Sequence, residues 1–312
     1  MSDSVSIALR FALYLDLMLL FGLALFGLYS LQGRERLSGA VLSFRSMLTG
    51  TAMLGVLLSV VSMVTMASAM SGESDLTELR PHIEMMVLET DVGLAWIVRI
   101  VALVVCGLAM MLNPRAPGVS LLVASIAGGI TLASLAWSGH GAMDEGSRRI
   151  WHFTSDILHL LAAGAWLGAL VAFALMAKIN ALQTEVRIRL LARAVTRFET
   201  AGALIVVVIT VTGVVNYLFI VGPKLDDVLL STYGILLFIK VALFAAMLVL
   251  AALNRFHLGP FLERSLRDGQ YQVAANALRR SVLVELAAAV LIVGLVAWLG
   301  TLSPEMANGV SG

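Results

Sequence analysis

The chain has a single cysteine, Cys106, so neither a disulfide framework nor a thiolate metal cage is open to it. Charge is scarce too: 13% of its 312 residues are Asp, Glu, Lys or Arg, about half the share in an ordinary soluble domain. The formal net charge is +1 and the basic residues fall in short loops, which argues against a nucleic-acid partner. No nucleotide-binding motif is present, so any transport by this chain would be driven by a gradient or a partner. No internal repeat is evident, and an inverted-repeat transporter design is unsupported. The longest polar loops, roughly 71–87, 178–197 and 254–279, are too short to form a separate soluble core.

What fills the chain instead is apolar. Sixty per cent of the residues are hydrophobic, and they come in runs of about 20, the length a helix needs to cross the hydrocarbon of a bilayer. Eight spans are expected, at about 10–31, 46–70, 88–112, 118–138, 151–177, 198–221, 231–253 and 280–300. The predicted fold is therefore all-α: a single integral membrane domain over 1–312, built as a bundle of eight transmembrane helices. The first span has no basic leader and runs past signal-peptide length, so it is read as a span that stays in place. Arg34, Arg36, Arg45, Arg115, Lys178, Arg187, Arg189, Arg193, Arg197, Arg255, Arg264, Arg267, Arg279 and Arg280 crowd alternate loops, which the positive-inside rule puts in the cytoplasm. Both termini are then outside, on the periplasmic side. Pro114 and Pro117 bracket a tight turn between spans three and four. Leu258, Phe261, Leu262 and Leu266 alternate with Arg264 and Arg267 as in an interfacial amphipathic helix. Gly164 and Gly168 make a small-xxx-small seam for close helix packing.

Against this background the histidines stand out. Three of the five, His140, His152 and His159, fall at the join of spans four and five, and His82 lies in an outer loop. His152, Asp156 and His159 follow i, i+4, i+7 spacing, which puts them on one helix face. Taken singly, each is open to reading as a polar cap or an interhelical hydrogen bond at the membrane boundary. Converging, they point to a metal or proton site, because imidazole is the commonest neutral metal ligand and Asp156 can ligate or orient a ring. Met63, Met66 and Met70 repeat at i, i+3, i+7 at the outer end of span two, and the next loop adds His82 and Met86. A methionine stripe is usually packing. Beside outer histidines it points to copper, since thioethers select Cu(I). Lys240, Arg99, Asp16 and Glu285 lie within spans, where a charge costs at least about 2.5 kcal/mol on insertion scales. Lys240 and Arg99 are therefore further functional candidates, each open to reading as a structural ion pair.

The stretch Asp156-Ile-Leu-His159-Leu-Leu-Ala-Ala-Gly-Ala-Trp166-Leu-Gly168, preceded by Gly139-His140-Gly-Ala, resembles the copper-resistance protein D (CopD/PcoD) family. So do Arg197-Phe198, Thr212-Gly213, Tyr233-Gly234 with Lys240, and Asn254-Arg255-Phe256, in that order, within a core region at 190–300. The resemblance implies a multi-pass inner-membrane copper transport protein of a Gram-negative bacterium. It further implies uptake of copper from a separate periplasmic partner of the CopC type. It singles out His140 and His159 as metal-site residues; His152, Asp156 and the methionines rest on spacing. Two other readings stay open at this point. One is a b-type cytochrome with haem between histidines of adjacent helices. The other is a membrane receptor that docks a periplasmic copper protein without transport.

Overall fold

A computed structural model describes residues 3–73, 75–139, 146–178, 184–222 and 231–302. Ten α-helices make up the described chain: α1 (Asp3–Ser30), α2 (Phe44–Ser71), α3 (Leu76–Glu89), α4 (Asp91–Ala109) and α5 (Pro117–Ala133). They continue with α6 (Gly146–Met176), α7 (Glu185–Ile220), α8 (Thr232–Leu253), α9 (Gly259–Arg267) and α10 (Gln272–Leu299). No strand occurs among the described residues. Eight of these helices are long and apolar enough to cross a membrane; α3 and α9 are the exceptions, and α9 continues from α8 through a π turn at Asn254–Leu258. With in-lipid backbone satisfied inside each helix, the chain is a multi-pass membrane protein.

Local chemistry sets the helix ends. Gly72 closes α2 in the left-handed conformation, with φ 77° and its N–H on the Ser68 carbonyl, where a side chain would be strained. Thr90 and Ser231 cap α4 and α8 by accepting from the Gly93 and Gly234 N–H groups. Pro117 opens α5, where its missing N–H is not needed. The segment read from sequence as part of a loop at 71–87 is a helix: Asp75 accepts from the Thr77 N–H and starts α3, with Pro81 inside it. The amphipathic stretch near 260 is α9, with Leu262 and Leu266 buried and Arg264 and Arg267 in its last turn.

The bundle is organised around α1. It packs against α2, α5, α6 and α10, and its inner residues Leu17, Leu20, Leu23 and Phe26 are fully buried. Its closest neighbour is α6. A Cβ on Gly22 would stand 2.8 Å from the Gly168 Cα, so the two backbones touch where the sequence put a small-residue seam. Lower down, Phe26 meets Phe173 edge-on at 5.3 Å and Phe173 meets Phe198 at 5.5 Å. Outward-facing Leu57, Val101, Val211, Phe238 and Val249 form the lipid-facing surface expected of a membrane bundle.

Arginines gather at one end and hold it together. Arg36 donates to the Leu31 carbonyl at 2.9 Å and Arg197 to the Ser30 carbonyl at 3.1 Å, satisfying the open carbonyls at the end of α1. Arg193 pairs with Glu35 there. At the opposite end, Arg10 of α1 donates to the Gly300 carbonyl just past α10. The described chain therefore begins and ends at the same, arginine-poor end of the bundle, as an even number of crossings requires.

Candidate metal site at the seam of α6 and α7

The N-terminal half of α6, at the arginine-poor end of the bundle, carries the polar face anticipated from its spacing, and α7 supplies the partners. His152 is buried, with 1% of its surface exposed, and its ring stacks on Phe219 with centroids 5.0 Å apart. Its Nε2 lies 3.8 Å from Asp156 Oδ2, and Asp156 Oδ1 accepts from Asn216 Nδ2 at 2.7 Å. One turn further along α6, His159 Nδ1 stands 2.9 Å from Thr212 Oγ1. Arg148 closes the end of the seam by donating to the Phe219 carbonyl at 2.8 Å.

The His159 contact fixes a tautomer. Thr212 Oγ1 already donates its one hydrogen to the Val208 carbonyl, so toward the imidazole it can only accept. His159 must then carry its proton on Nδ1, which leaves the Nε2 lone pair free for a metal or a proton. Gly213 lies beside the ring, where a Cβ would be in ordinary contact with His159 Cε1 at 3.6 Å. The ring faces a cavity of about 470 Å³ between α6, α7, α8 and α10, lined by His159, Thr210, Gly213, Tyr217, Lys240 and Phe244. Lys240 thus lines the cavity at membrane depth. A second cavity of about 390 Å³ lies toward the arginine-rich end, lined by Glu199, Asn254, Arg255 and Glu285. Trp166 borders both cavities and donates its indole N–H to Glu285 at 2.9 Å. Asn254 donates to the other Glu285 oxygen at 3.0 Å.

The remaining sequence candidates divide. His140 lies outside the described residues. The chain before it reaches Gly139, where a Cβ would be 3.7 Å from Asp156 Oδ2. Met63 and Met86 come together in a buried apolar cluster with Ala67 and Leu79, between α2, α3 and α4. Met66 and Met70, 39% and 67% exposed, face outward instead. His82 is on α3, with Nδ1 3.3 Å from the Glu78 carbonyl of the preceding turn. Arg99 is buried and bound to Ser134, through Nε to the hydroxyl at 2.8 Å and through Nη2 to the carbonyl at 3.3 Å. Among the described residues, no three His, Cys, Asp or Glu side chains form a metal-sized cluster. Spacing on α6 brought out His152, Asp156 and His159 but not Thr212 and Asn216. Their signal was an i, i+4 polar pair beside Gly213 in an otherwise apolar span.

The family that the sequence resembles is the one that direct comparison finds. Residues 1–150 match the N-terminal domain model described as copper resistance protein D-like, and residues 192–299 match the copper resistance protein D model. The chain belongs to the copper resistance protein D family. It is 58% identical over 310 residues to Copper resistance protein D of Pseudomonas syringae pv. tomato, covering 99% of this chain and all of that one. Inner membrane protein YebZ of Escherichia coli K12 is 30% identical over 81% of this chain and 84% of its own. Copper transport protein CutJ of Bacillus subtilis is 31% identical over 78% of this chain and 45% of its own length. No solved structure matches the chain significantly. Family membership supports a part in copper homeostasis; of these relatives one is named for copper resistance and one for copper transport.

Proposed function

We propose that this protein carries copper across the inner membrane, capturing it at the periplasmic, arginine-poor end and passing it inward. The observation that carries this reading is the α6–α7 seam. His152 and Asp156 stand at its outer end, and His159, one turn deeper, holds a free Nε2 lone pair at the wall of a cavity. The distance from His152 to His159 along the helix is roughly 10 Å at 1.5 Å per residue. Successive sites at that spacing suit conduction, which needs binding firm enough to admit an ion and weak enough to release it. His140, on the resemblance, completes the outer site. The buried Met63–Met86 pair offers soft donors at the same end, suited to Cu(I). A separate periplasmic CopC-type protein would deliver the ion.

The test is copper binding by the purified chain, comparing wild type with a His140→Ala/His159→Ala double variant. The expected result is loss of stoichiometric binding in the variant. Equal stoichiometry and affinity in the two proteins would refute the site. Uptake into proteoliposomes containing only this chain separates a transporter from a docking receptor, and a Soret band in the purified protein would replace the copper reading with a haem one.

A further inference from the structure

In the half of the bundle away from the copper seam, α1 carries a carboxylate that none of the interactions so far described uses. Asp16 sits midway along the helix and is 4% exposed, and neither of its oxygens has a hydrogen-bond partner among the described residues. It fills a notch in α2: a Cβ on Gly55 would come within 2.8 Å of Asp16 Oδ2 and 3.0 Å of the Leu103 side chain from α4. One turn along the same face of α2, Ser59 is fully buried and its hydroxyl is also without a partner among the described residues. Trp96 of α4 donates to the Ser59 backbone carbonyl at 2.9 Å, so α4 closes the seam over these groups.

A carboxylate in this position is costly to keep ionised. Removing a charge from water into an unpaired apolar site is prohibitive, so the group neutralises or acquires a cation. The titratable groups of the packed spans that have defined contacts find their partners elsewhere, and the Cys106 thiol of α4 is buried. Arg99 of α4 is bound to Ser134; His152, Asp156 and His159 of α6 face α7; Glu285 of α10 faces Trp166 and Asn254. On α1 itself Arg10 is held by Gly300, and Tyr14 lies near Arg99. The span of α2 supplies Gly55 and Ser59 to this face, and α5 carries no charged residue. Gly55 of α2 and the Leu103 side chain of α4 therefore border the space that the Asp16 carboxyl occupies.

We propose that Asp16 is an intramembrane proton site whose protonation is coupled to passage of the copper cargo. The carboxylic acid form fits the closed seam of α1, α2 and α4. Loss of its proton leaves a carboxylate that forces the seam to admit water, with Ser59 as the next polar group along the way. The coupling runs through α1. Met18 is two residues on, about 200° around the helix at 3.6 residues per turn, and it lines the cavity that holds His159. One wall is thereby shared by the proton seam and the copper cavity. The proton site stands on its own geometry, whereas its coupling to cargo rests on the copper reading above.

The test uses the full chain in proteoliposomes loaded with a pH-sensitive dye, with Cu(I) supplied as its acetonitrile complex. Wild type is expected to move protons when copper moves; Asp16→Asn, a neutral isostere, is expected to lose that proton signal while binding copper as wild type does. A proton signal in Asp16→Asn equal to wild type, or copper uptake by wild type with no proton movement, overturns the coupling. Dicyclohexylcarbodiimide, which reacts with protonated carboxyls in apolar surroundings, gives a second readout that needs no variant to fold. Peptide mass mapping is expected to find the adduct on Asp16 of the wild type. Absence of that adduct near neutral pH overturns the proton site, whether or not the chain binds copper. An adduct on Asp16 in a protein that binds no copper would uphold the proton site and remove the copper reading alone.

Discussion

The contact between α1 and α6 makes a sharp energetic test, because both surfaces there are backbone. A Cβ on Gly168 would stand 2.7 Å from the Leu23 amide nitrogen, and one on Gly22 would stand 2.8 Å from the Gly168 Cα and 3.0 Å from its amide nitrogen. Ordinary carbon contacts lie at about 3.5–4.0 Å, so relief requires the helices to part by roughly an ångström. Neither obstruction is a side chain that could swing away. Moving two long helices apart forfeits dispersion contacts along their shared length, including the Phe26–Phe173 contact further down the same pair. Gly168→Ala is therefore expected to cost about 3 kcal/mol, at the upper end of the usual overpacking range. Gly50→Ala in α2 is the matched control: its Cβ meets nothing within 4 Å, and the change should be neutral or stabilising by about 0.5–1 kcal/mol. The single cysteine supplies the assay. Cys106 is fully buried in α4, so a thiol-reactive fluorophore reports thermal unfolding without an engineered label. If Gly168→Ala unfolds at the wild-type temperature, or if Gly50→Ala falls as far, the argument from backbone contact is wrong.

Three further outcomes follow from buried or capping groups. Ser134→Ala removes the hydroxyl that holds the buried Arg99 guanidinium, and should destabilise by about 1.5–3 kcal/mol, read by the same thiol assay. Trp166→Phe leaves Glu285 Oε1 without its donor and should cost about 1–3 kcal/mol; Glu285→Gln added to Trp166→Phe should recover part of that loss, and a strictly additive loss would contradict the pairing. Asp75 is held below its ordinary value of 3.8 by hydrogen bonds from the Thr77 side chain and N–H. A carboxylate with a depressed native value contributes above its unfolded value and loses the contribution as pH falls through the native one. The first turn of α3 should therefore be protected from hydrogen exchange at neutral pH, and lose that protection below about pH 4. Asp75→Ala should show the loss at every pH.

The eight crossings were legible because a span announces itself by length and apolarity alone, and so was one side of the tightest seam, Gly164 and Gly168. Its partner Gly22 was not, since nothing in the sequence of α1 says which helix it faces. Helix α3 escaped because hydropathy was the criterion: Leu76–Glu89 is charged and contains Pro81, and its one local signal is the cap at Asp75. The methionine stripe shows the limit of periodicity. Met63, Met66 and Met70 do fall on neighbouring parts of one helix face, yet only Met63 is covered, because the cover is α3 and α4 docking at the edge of that face. At the α6–α7 seam the α6 face was readable from its own spacing. The tautomer of His159 was not, since it is decided by Thr212, 53 residues away.

The position of α6 in the chain bears on how the two halves work together. The two family models cover residues 1–150 and 192–299, so most of α6, from Gly146 to Met176, falls between them. That helix packs against α1 of the first region along its glycine seam and against α7 of the second along its polar seam. A cation that draws His152, Asp156 and His159 into new contacts acts on the polar seam. The glycine seam has no slack to absorb the movement, because its contacts are backbone to backbone. Displacement of α6 is then passed to α1, and from α1 to the seam where Asp16 rests against Gly55. On this argument, loosening the glycine seam should uncouple the halves before it unfolds them. Gly168→Ala should keep copper binding at the outer site, whose His152 and Asp156 face α7 rather than α1, while copper-linked proton movement falls. Loss of both together would mean that the seam supports the site itself rather than linking it to α1.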